Sequence, residues 1–241
     1  MFDFSVKNKL YSLLMRKADR VIQRNLKEVT LSAISRDSVW FYSQMKSGTT
    51  YTIIFLINYL NLVSKKGFTS KDVYEILPYF HSINAAIDRT SVSKIREEQR
   101  RLIEGVTNKY FLHTHDQIID FSEKRVLLNR NPLDYLVSSY YFWYVNRGKK
   151  DSIEDVYKRI LDRYIINYNN HERILKEQPN TTLSIMYEEL IRKPELIFTQ
   201  LVNFLGYEYD SGLLTEAVEL SQKKKIKEKT IDNFLSTYTY G

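Results

Sequence analysis

Ser43-Gln44-Met45-Lys46-Ser47-Gly48-Thr49-Thr50-Tyr51 is the stretch whose reading decides the fold. Ser38-Val39-Trp40-Phe41-Tyr42 ahead of it is β-branched and aromatic and reads as a buried strand. Thr52 to Val63 behind it is apolar and long enough for a core helix. A strand, a tight loop with one glycine and three hydroxyl residues after Lys46, then a helix is the architecture of an anion cradle. Backbone N–H groups converge at the helix start, and the helix dipole adds partial positive charge. Lys46 supplies a full charge beside them, so a phosphate or sulfate group is the expected guest. The loop is not a Walker A motif, because Lys46 precedes Gly48 and no earlier glycine stands in the required place.

A second strand-loop-helix unit runs from Arg125 to Trp143. Val126-Leu127-Leu128 is a short apolar strand, closed by Asn129-Arg130-Asn131-Pro132. Asn131 suits a helix N-cap and Pro132 the first helical position, where its missing N–H costs nothing. Asp134 then falls in the first turn and complements the dipole. Leu136, Val137, Tyr140, Tyr141 and Tyr144 are spaced as a buried stripe. Arg130 is left at the carboxyl end of a strand and Ser138 in the second turn of the next helix. Open α/β sheets bind ligands at that edge.

Strands are predicted near 38–43, 109–113, 125–129 and 181–186, and helices near 50–63, 92–105, 133–146, 151–177, 194–205 and 211–224. This alternation implies an α/β fold with a central parallel sheet covered by helices on both faces. A chain of 241 residues can bury one sizeable core, and 7 Gly and 4 Pro leave little punctuation for a boundary. The division expected is a basic amphipathic helical segment at residues 1–30 followed by one α/β domain over 31–241.

The chain has no cysteine, which excludes disulfides, thiolate catalysis and Cys-ligated zinc and fits a reducing compartment. Met1-Phe2-Asp3-Phe4 opens no signal peptide, and the apolar stretch Ile53 to Val63 is too short to span a bilayer. A cytoplasmic protein is expected. Its net charge of +7 calls for anionic company. Val6, Leu10, Leu13, Leu14, Val21 and Ile22 share a helical face, with basic residues elsewhere, so residues 5–28 suit either packing on the domain or peripheral contact with an anionic membrane. Lys223-Lys224-Lys225 and Lys227 read as a solvated tail.

The two loop motifs, in this order and each between a strand and a helix, resemble those of the sulfotransferases that use 3′-phosphoadenosine 5′-phosphosulfate (PAPS). Lys46-Ser47-Gly48-Thr49-Thr50-Tyr51 is similar to the family's 5′-phosphosulfate loop. Arg130-Asn131-Pro132-Leu133-Asp134 with Ser138, Tyr140 and Tyr141 is similar to its 3′-phosphate motif. Tyr110 to Asp116 resembles the strand and Lys-Thr-His segment of the catalytic base, and Met186 to Leu190, Lys193 to Glu195 and Asn203 to Gly206 resemble elements of the last third. The resemblance runs from about Ser38 to Gly206 and implies a P-loop-like α/β fold and sulfuryl transfer with PAPS as donor, PAP as product and no metal.

By that resemblance Lys46 stabilises the bridging oxygen as PAP departs, and Ser47, Gly48, Thr49 and Thr50 hold the 5′-phosphate. Tyr51, where the family usually has Trp, and Tyr187 contact the adenine, while Arg130 and Ser138 clamp the 3′-phosphate. His115 is the general base, with an ordinary pKa near 6.5 that leaves it largely neutral at pH 7. His113 stands where the family has Lys. Either it is protonated, or another cation substitutes, or the two histidines share roles. Phe80, His81, Phe142 and Trp143 fall where the family builds its acceptor pocket, which suits a hydroxyl (or amine) on a small molecule, lipid or glycan. No nucleic acid partner is expected.

Two rival readings come from the same residues. His113-Thr114-His115 at a strand end is also a metal-ligand arrangement, with Asp116 and Asp120 nearby, as in a metal-dependent hydrolase. The basic termini would also serve a non-catalytic module that binds nucleic acid or an anionic membrane. Two departures from the family stand out: Met45 replaces the usual Pro before the loop Lys, and no Arg-Lys-Gly lid triplet occurs, with Lys223 to Lys229 nearest to its place.

Overall fold

Val39, Trp40, Phe41 and Tyr42 are buried to the last side chain, as a strand covered on both faces requires. The computed structural model describes residues 38–67, 76–77, 97, 99–105, 107, 109–115, 124–145 and 152–222. The 1–30 segment, Phe80, His81, Asp116, Asp120 and Lys223 to Lys229 lie outside the described residues, as does the side chain of Trp143.

Strands β1 (Ser38–Ser43), β2 (Tyr110–Thr114), β3 (Lys124–Asn129) and β4 (Thr182–Met186) are all parallel, in the order β2-β1-β3-β4. The chain steps from β1 to its neighbour β2 on one side, then crosses back to β3 on the other. The reversal opens a crevice beyond the carboxyl end of β1, where such sheets receive ligands.

Helices α1 (Thr49–Ser64), α2 (Pro132–Tyr140), α3 (Ile153–Glu177), α4 (Tyr187–Arg192), α5 (Pro194–Leu205) and α6 (Ser211–Leu220) connect and cover the strands. Helix α1, with α5 and α6, covers the face formed by Val39, Phe41, Val126, Leu128 and Ile185. Phe55 of α1 and Phe198 of α5 stack there with ring centroids 3.6 Å apart. Burial of such a side chain stabilises by about 1.5–3 kcal/mol, so this face carries most of the core.

Helix α3 covers the opposite face through polar contacts. Arg125 of β3 is 1% exposed, and its guanidinium donates to Gln178 Oε1 just beyond α3 at 2.6 Å. His171 of α3 donates from Nδ1 to Asn129 Oδ1 at 2.6 Å, and Asn129 Nδ2 donates to Ser184 Oγ of β4 at 3.3 Å. Buried polar groups persist only when paired in this way.

Asn131 caps α2 as expected, its side chain accepting from Leu133 N at 3.0 Å, with Pro132 at the first helical position. Of the buried stripe expected on this helix, Leu136 is buried, but the inward face differs otherwise. Val137 and Tyr141 are 54% and 56% exposed, and the buried residues are Tyr135, Leu136 and Ser139. Tyr135 turns onto Tyr164 of α3, ring centroids 4.9 Å apart, and that contact sets the inward face. Beyond Tyr140 the helix widens into one π turn, Tyr141–Val145. Among the described residues, no helix is long and apolar enough to cross a membrane.

Burial lowers the His171 pKa from 6.5 to about 4. The native state therefore holds the ring neutral while the unfolded chain takes up a proton below pH 6.5. Its contribution is intact above pH 6.5 and is lost progressively as pH falls from 6.5 to 4, by about 3 kcal/mol in all. His171→Gln, whose amide can still donate to Asn129, is expected to flatten the pH dependence of unfolding free energy over that window. An unchanged slope would remove this ring from the acid response.

Candidate active site

All four parallel strands end on the same edge, and each delivers chemistry there. Tyr42 pairs with Thr114, which sets Ser43 beside His115 one residue on. Asn129 pairs with Met186, which sets Arg130 beside Tyr187. Contacts follow the register. The Arg130 guanidinium lies over the Tyr187 ring, 4.4 Å from its centroid, and His115 Nδ1 lies 2.8 Å from Ser43 Oγ.

The turn after β1 is shaped by two residues in the left-handed region, Lys46 at φ 64° and Gly48 at φ 90°. Gly48 also stands where no side chain fits. A β-carbon would come within 2.7 Å of Tyr187 Cδ2 and 3.2 Å of Leu190 Cδ2. Ser47 is buried, its backbone N–H and hydroxyl both turned back on the Gln44 carbonyl. Helix α1 starts directly after, with no side-chain cap at its N-terminus, so its first amides face the loop. Lys46 is exposed, its Nζ 4.3 Å from the centre of the Phe142 ring in the π turn.

Arg130 joins this loop to α4 and α3. Its Nη1 donates to the Lys46 carbonyl at 2.8 Å, and its own carbonyl accepts from the Tyr164 hydroxyl at 2.8 Å. Burial, then the neighbouring Tyr168, pushes the Tyr164 phenol up to about 12, which keeps it a donor throughout the working range of pH. Glu188 Oε1 accepts from the Asn131 backbone at 3.0 Å and ties α4 to the loop between β3 and α2.

Arg130 Nε, Thr49 Oγ1 and both amide atoms of Gln44 are buried without a hydrogen-bond partner. Leaving such groups unpaired costs about 1–3 kcal/mol each. A donor-rich cradle of this kind around a glycine too crowded for a β-carbon fits a phosphate-bearing ligand. Tyr51, half-buried on α1, sets its ring edge-on to Phe198 with centroids 5.3 Å apart. Ser138 is half-buried in the second turn of α2.

The two imidazoles meet at Ser43. His113 Nε2 is 2.9 Å from Ser43 Oγ, and the two rings sit 4.7 Å apart at 88°. His113 is fully buried, and burial, then the adjacent His115, holds its pKa well below 6.5. Burial thus favours the neutral ring over a protonated His113 in the ligand-free site. Among the described residues no group of three or more His, Cys, Asp or Glu side chains gathers as a metal site would need. A cavity of about 220 Å³ lined by Arg100, Glu104, Thr107 and Tyr110 opens instead at the amino end of β2, away from all of these groups.

A family model described as the sulfotransferase domain matches residues 36–239. The chain belongs to the sulfotransferase family. No curated protein matches this sulfotransferase in sequence. Its fold is shared with retinol dehydratase in complex with androsterone and inactive cofactor PAP, at 19% identity and TM-score 0.54, covering 80% of this chain and 66% of that one. Retinol dehydratase in a complex with retinol and PAP matches at 18% identity and TM-score 0.54, covering 83% and 70%. Mouse sulfotransferase SULT7A1 complexed with PAP matches at 16% identity and TM-score 0.56, also covering 83% and 70%. This sulfotransferase thus spans 66–70% of the length of those neighbours.

The fold brings Lys46, Ser47, Gly48, Thr49, Arg130, Tyr187, His113, His115 and Phe142 to one edge of the sheet. Phe80 and His81 lie outside the described residues. Sequence reasoning missed Ser43, Tyr164 and the bond from Glu188 to Asn131. Glu188 had a local signal in the Tyr-Glu pair, whereas Ser43 and Tyr164 act only through strand and helix neighbours remote in sequence.

Proposed function

We propose that this sulfotransferase moves a sulfuryl group from PAPS to a hydroxyl group of an acceptor with an apolar body, without a metal. One observation carries the reading: the Lys46 to Thr50 cradle, Arg130 and His115 stand at adjacent strand ends on one edge. Androsterone and retinol, bound by the neighbour of similar fold, are alcohols with apolar bodies. Phe142, packed against Lys46, supplies an apolar wall beside the transfer point.

Sulfuryl transfer, like phosphoryl transfer, is governed by positioning and electrostatics. The acceptor oxygen forms the new bond to sulfur as the bond to the 5′-phosphate oxygen breaks. His115 takes the acceptor's proton, and Lys46 meets the charge gathering on the departing phosphate. Ser47, Gly48, Thr49 and Thr50 hold that phosphate through amides and hydroxyls. Arg130 and Ser138 bind the 3′-phosphate, with Arg130 pre-oriented by the Lys46 carbonyl and the Tyr187 ring. Tyr187 and Tyr51 border the base. Lipid hydroxyls, and glycan hydroxyls presented with the apolar face of a sugar, fall within the same acceptor class, and the reading places the enzyme in the cytoplasm, with 5–28 as the candidate membrane-facing segment.

The test is thermal unfolding with PAP, using ATP plus magnesium as control. At 100 times its dissociation constant PAP is expected to stabilise by about 2.7 kcal/mol, a shift of roughly 5–10 °C for a domain of this size. Arg130→Ala should remove most of that shift while leaving the unliganded midpoint nearly in place. A response that ATP matches, or that survives Arg130→Ala, would contradict a dedicated 3′-phosphate site.

A further inference from the structure

We infer that Ser43, the last residue of β1, is a positioning residue that fixes the tautomers of both active-site histidines and so delivers the basic nitrogen of His115. The inference rests on the proposed sulfuryl transfer for its catalytic consequence and on geometry alone for the hydrogen bonds.

His115 Nδ1 lies 2.9 Å from the Ser43 carbonyl oxygen and 2.8 Å from Ser43 Oγ. A carbonyl only accepts, so Nδ1 carries the proton and shares it between the two oxygens. The lone pair of a neutral His115 then falls on Nε2. Ser43 Oγ, already accepting from His115, turns its own proton to His113 Nε2 at 2.9 Å. With His113 accepting there, its own proton lies on Nδ1. One residue at the end of β1 thereby orients two rings carried by the adjacent β2 and its end.

The order of donation has a consequence for the proton. When His115 Nε2 takes the acceptor's proton, the charge on the ring strengthens its Nδ1–H bond to Ser43, and donation from Ser43 to His113 polarises that hydroxyl further. The chain ends at His113, because its burial disfavours the imidazolium. His113 acts as a neutral acceptor that holds the serine hydroxyl in line. A lysine at this position offers only donors, so the pairing with Ser43 belongs to a chain that carries histidine there.

The experiment combines nitrogen-edited NMR of the imidazoles in the ligand-free protein with kinetics of Ser43→Ala and Ser43→Thr. In the wild type both rings are expected as Nδ1–H tautomers. Ser43→Ala should release His113 from that tautomer, leave His115 held by the backbone carbonyl, and lower kcat about 10- to 100-fold with KM for PAPS unchanged. Ser43→Thr, which restores the hydroxyl, should return the His113 tautomer and most of kcat. His115 found as the Nε2–H tautomer, or a wild-type kcat in Ser43→Ala, overturns the inference. So does a loss that threonine does not repair at an equal unfolding midpoint. Tautomers as assigned in a protein that fails to bind PAP would sink the donor reading and leave the hydrogen-bonded positioning standing.

Discussion

His115→Ala is expected to cut sulfuryl transfer by about 10²- to 10⁴-fold while PAP affinity stays within roughly twofold, because general-base catalysis contributes on that scale and the base touches the acceptor rather than the nucleotide. Among the described residues, neither of the other imidazoles is placed to take over. His113 is the nearest imidazole, but it is fully buried, its Nε2 faces Ser43 Oγ, and its pKa is held well below 6.5 by burial. The third described imidazole, His171, is committed to Asn129 on α3. Transfer from labelled PAPS to a panel of phenols and apolar alcohols, read together with PAP titration, separates the two quantities. If His115→Ala turned over at more than a tenth of the wild-type rate, the base would have to be sought elsewhere. A joint fall in turnover and PAP affinity would instead mean that removal of the ring disturbs Ser43 and the loop that follows it.

Both loops proposed to hold the nucleotide were legible as turns because their signals are local. Gly48 in the loop after an apolar strand, and Asn131-Pro132 ahead of α2, announce a turn and a cap within a few residues. Their order along the chain supplied the family, and the four parallel strands appeared close to their expected bounds. What failed was what local pattern cannot hold. On α2 the apolar positions wrap far enough round the helix to offer two faces, and only the contact of Tyr135 with Tyr164 selects one. Helix α4 escaped notice because six residues carry too little periodicity to separate from a turn. The neutral state of His113 and its bond to Ser43 depend on β1 pairing with β2, a contact between residues 70 apart in sequence. A histidine that replaces a lysine looks like a weaker cation in the sequence, whereas full burial beside a serine disfavours its charged form.

Gly48→Ala is expected to be the most damaging single-methyl change in the molecule. Two costs add at one atom. The backbone at φ 90° suits glycine and costs an alanine about 1 kcal/mol, and the new β-carbon would sit 2.7 Å from Tyr187 Cδ2, where overpacking costs roughly 1–3 kcal/mol more. A total of about 2–4 kcal/mol should lower the unfolding midpoint by roughly 5–15 °C. The damage reaches function through the same contact. To relieve the clash Tyr187 must withdraw, yet its ring supports the Arg130 guanidinium at 4.4 Å, and Arg130 in turn holds the Lys46 carbonyl. PAP affinity should therefore fall by more than tenfold even in samples still folded at 25 °C, whereas an exposed substitution such as Thr50→Ala at the start of α1 should leave the midpoint within a degree or two. Midpoints and PAP titrations on the two variants decide it. A Gly48→Ala protein with a wild-type midpoint and wild-type PAP affinity would mean that Tyr187 does not pack on the loop, and the support it lends to Arg130 would go with it.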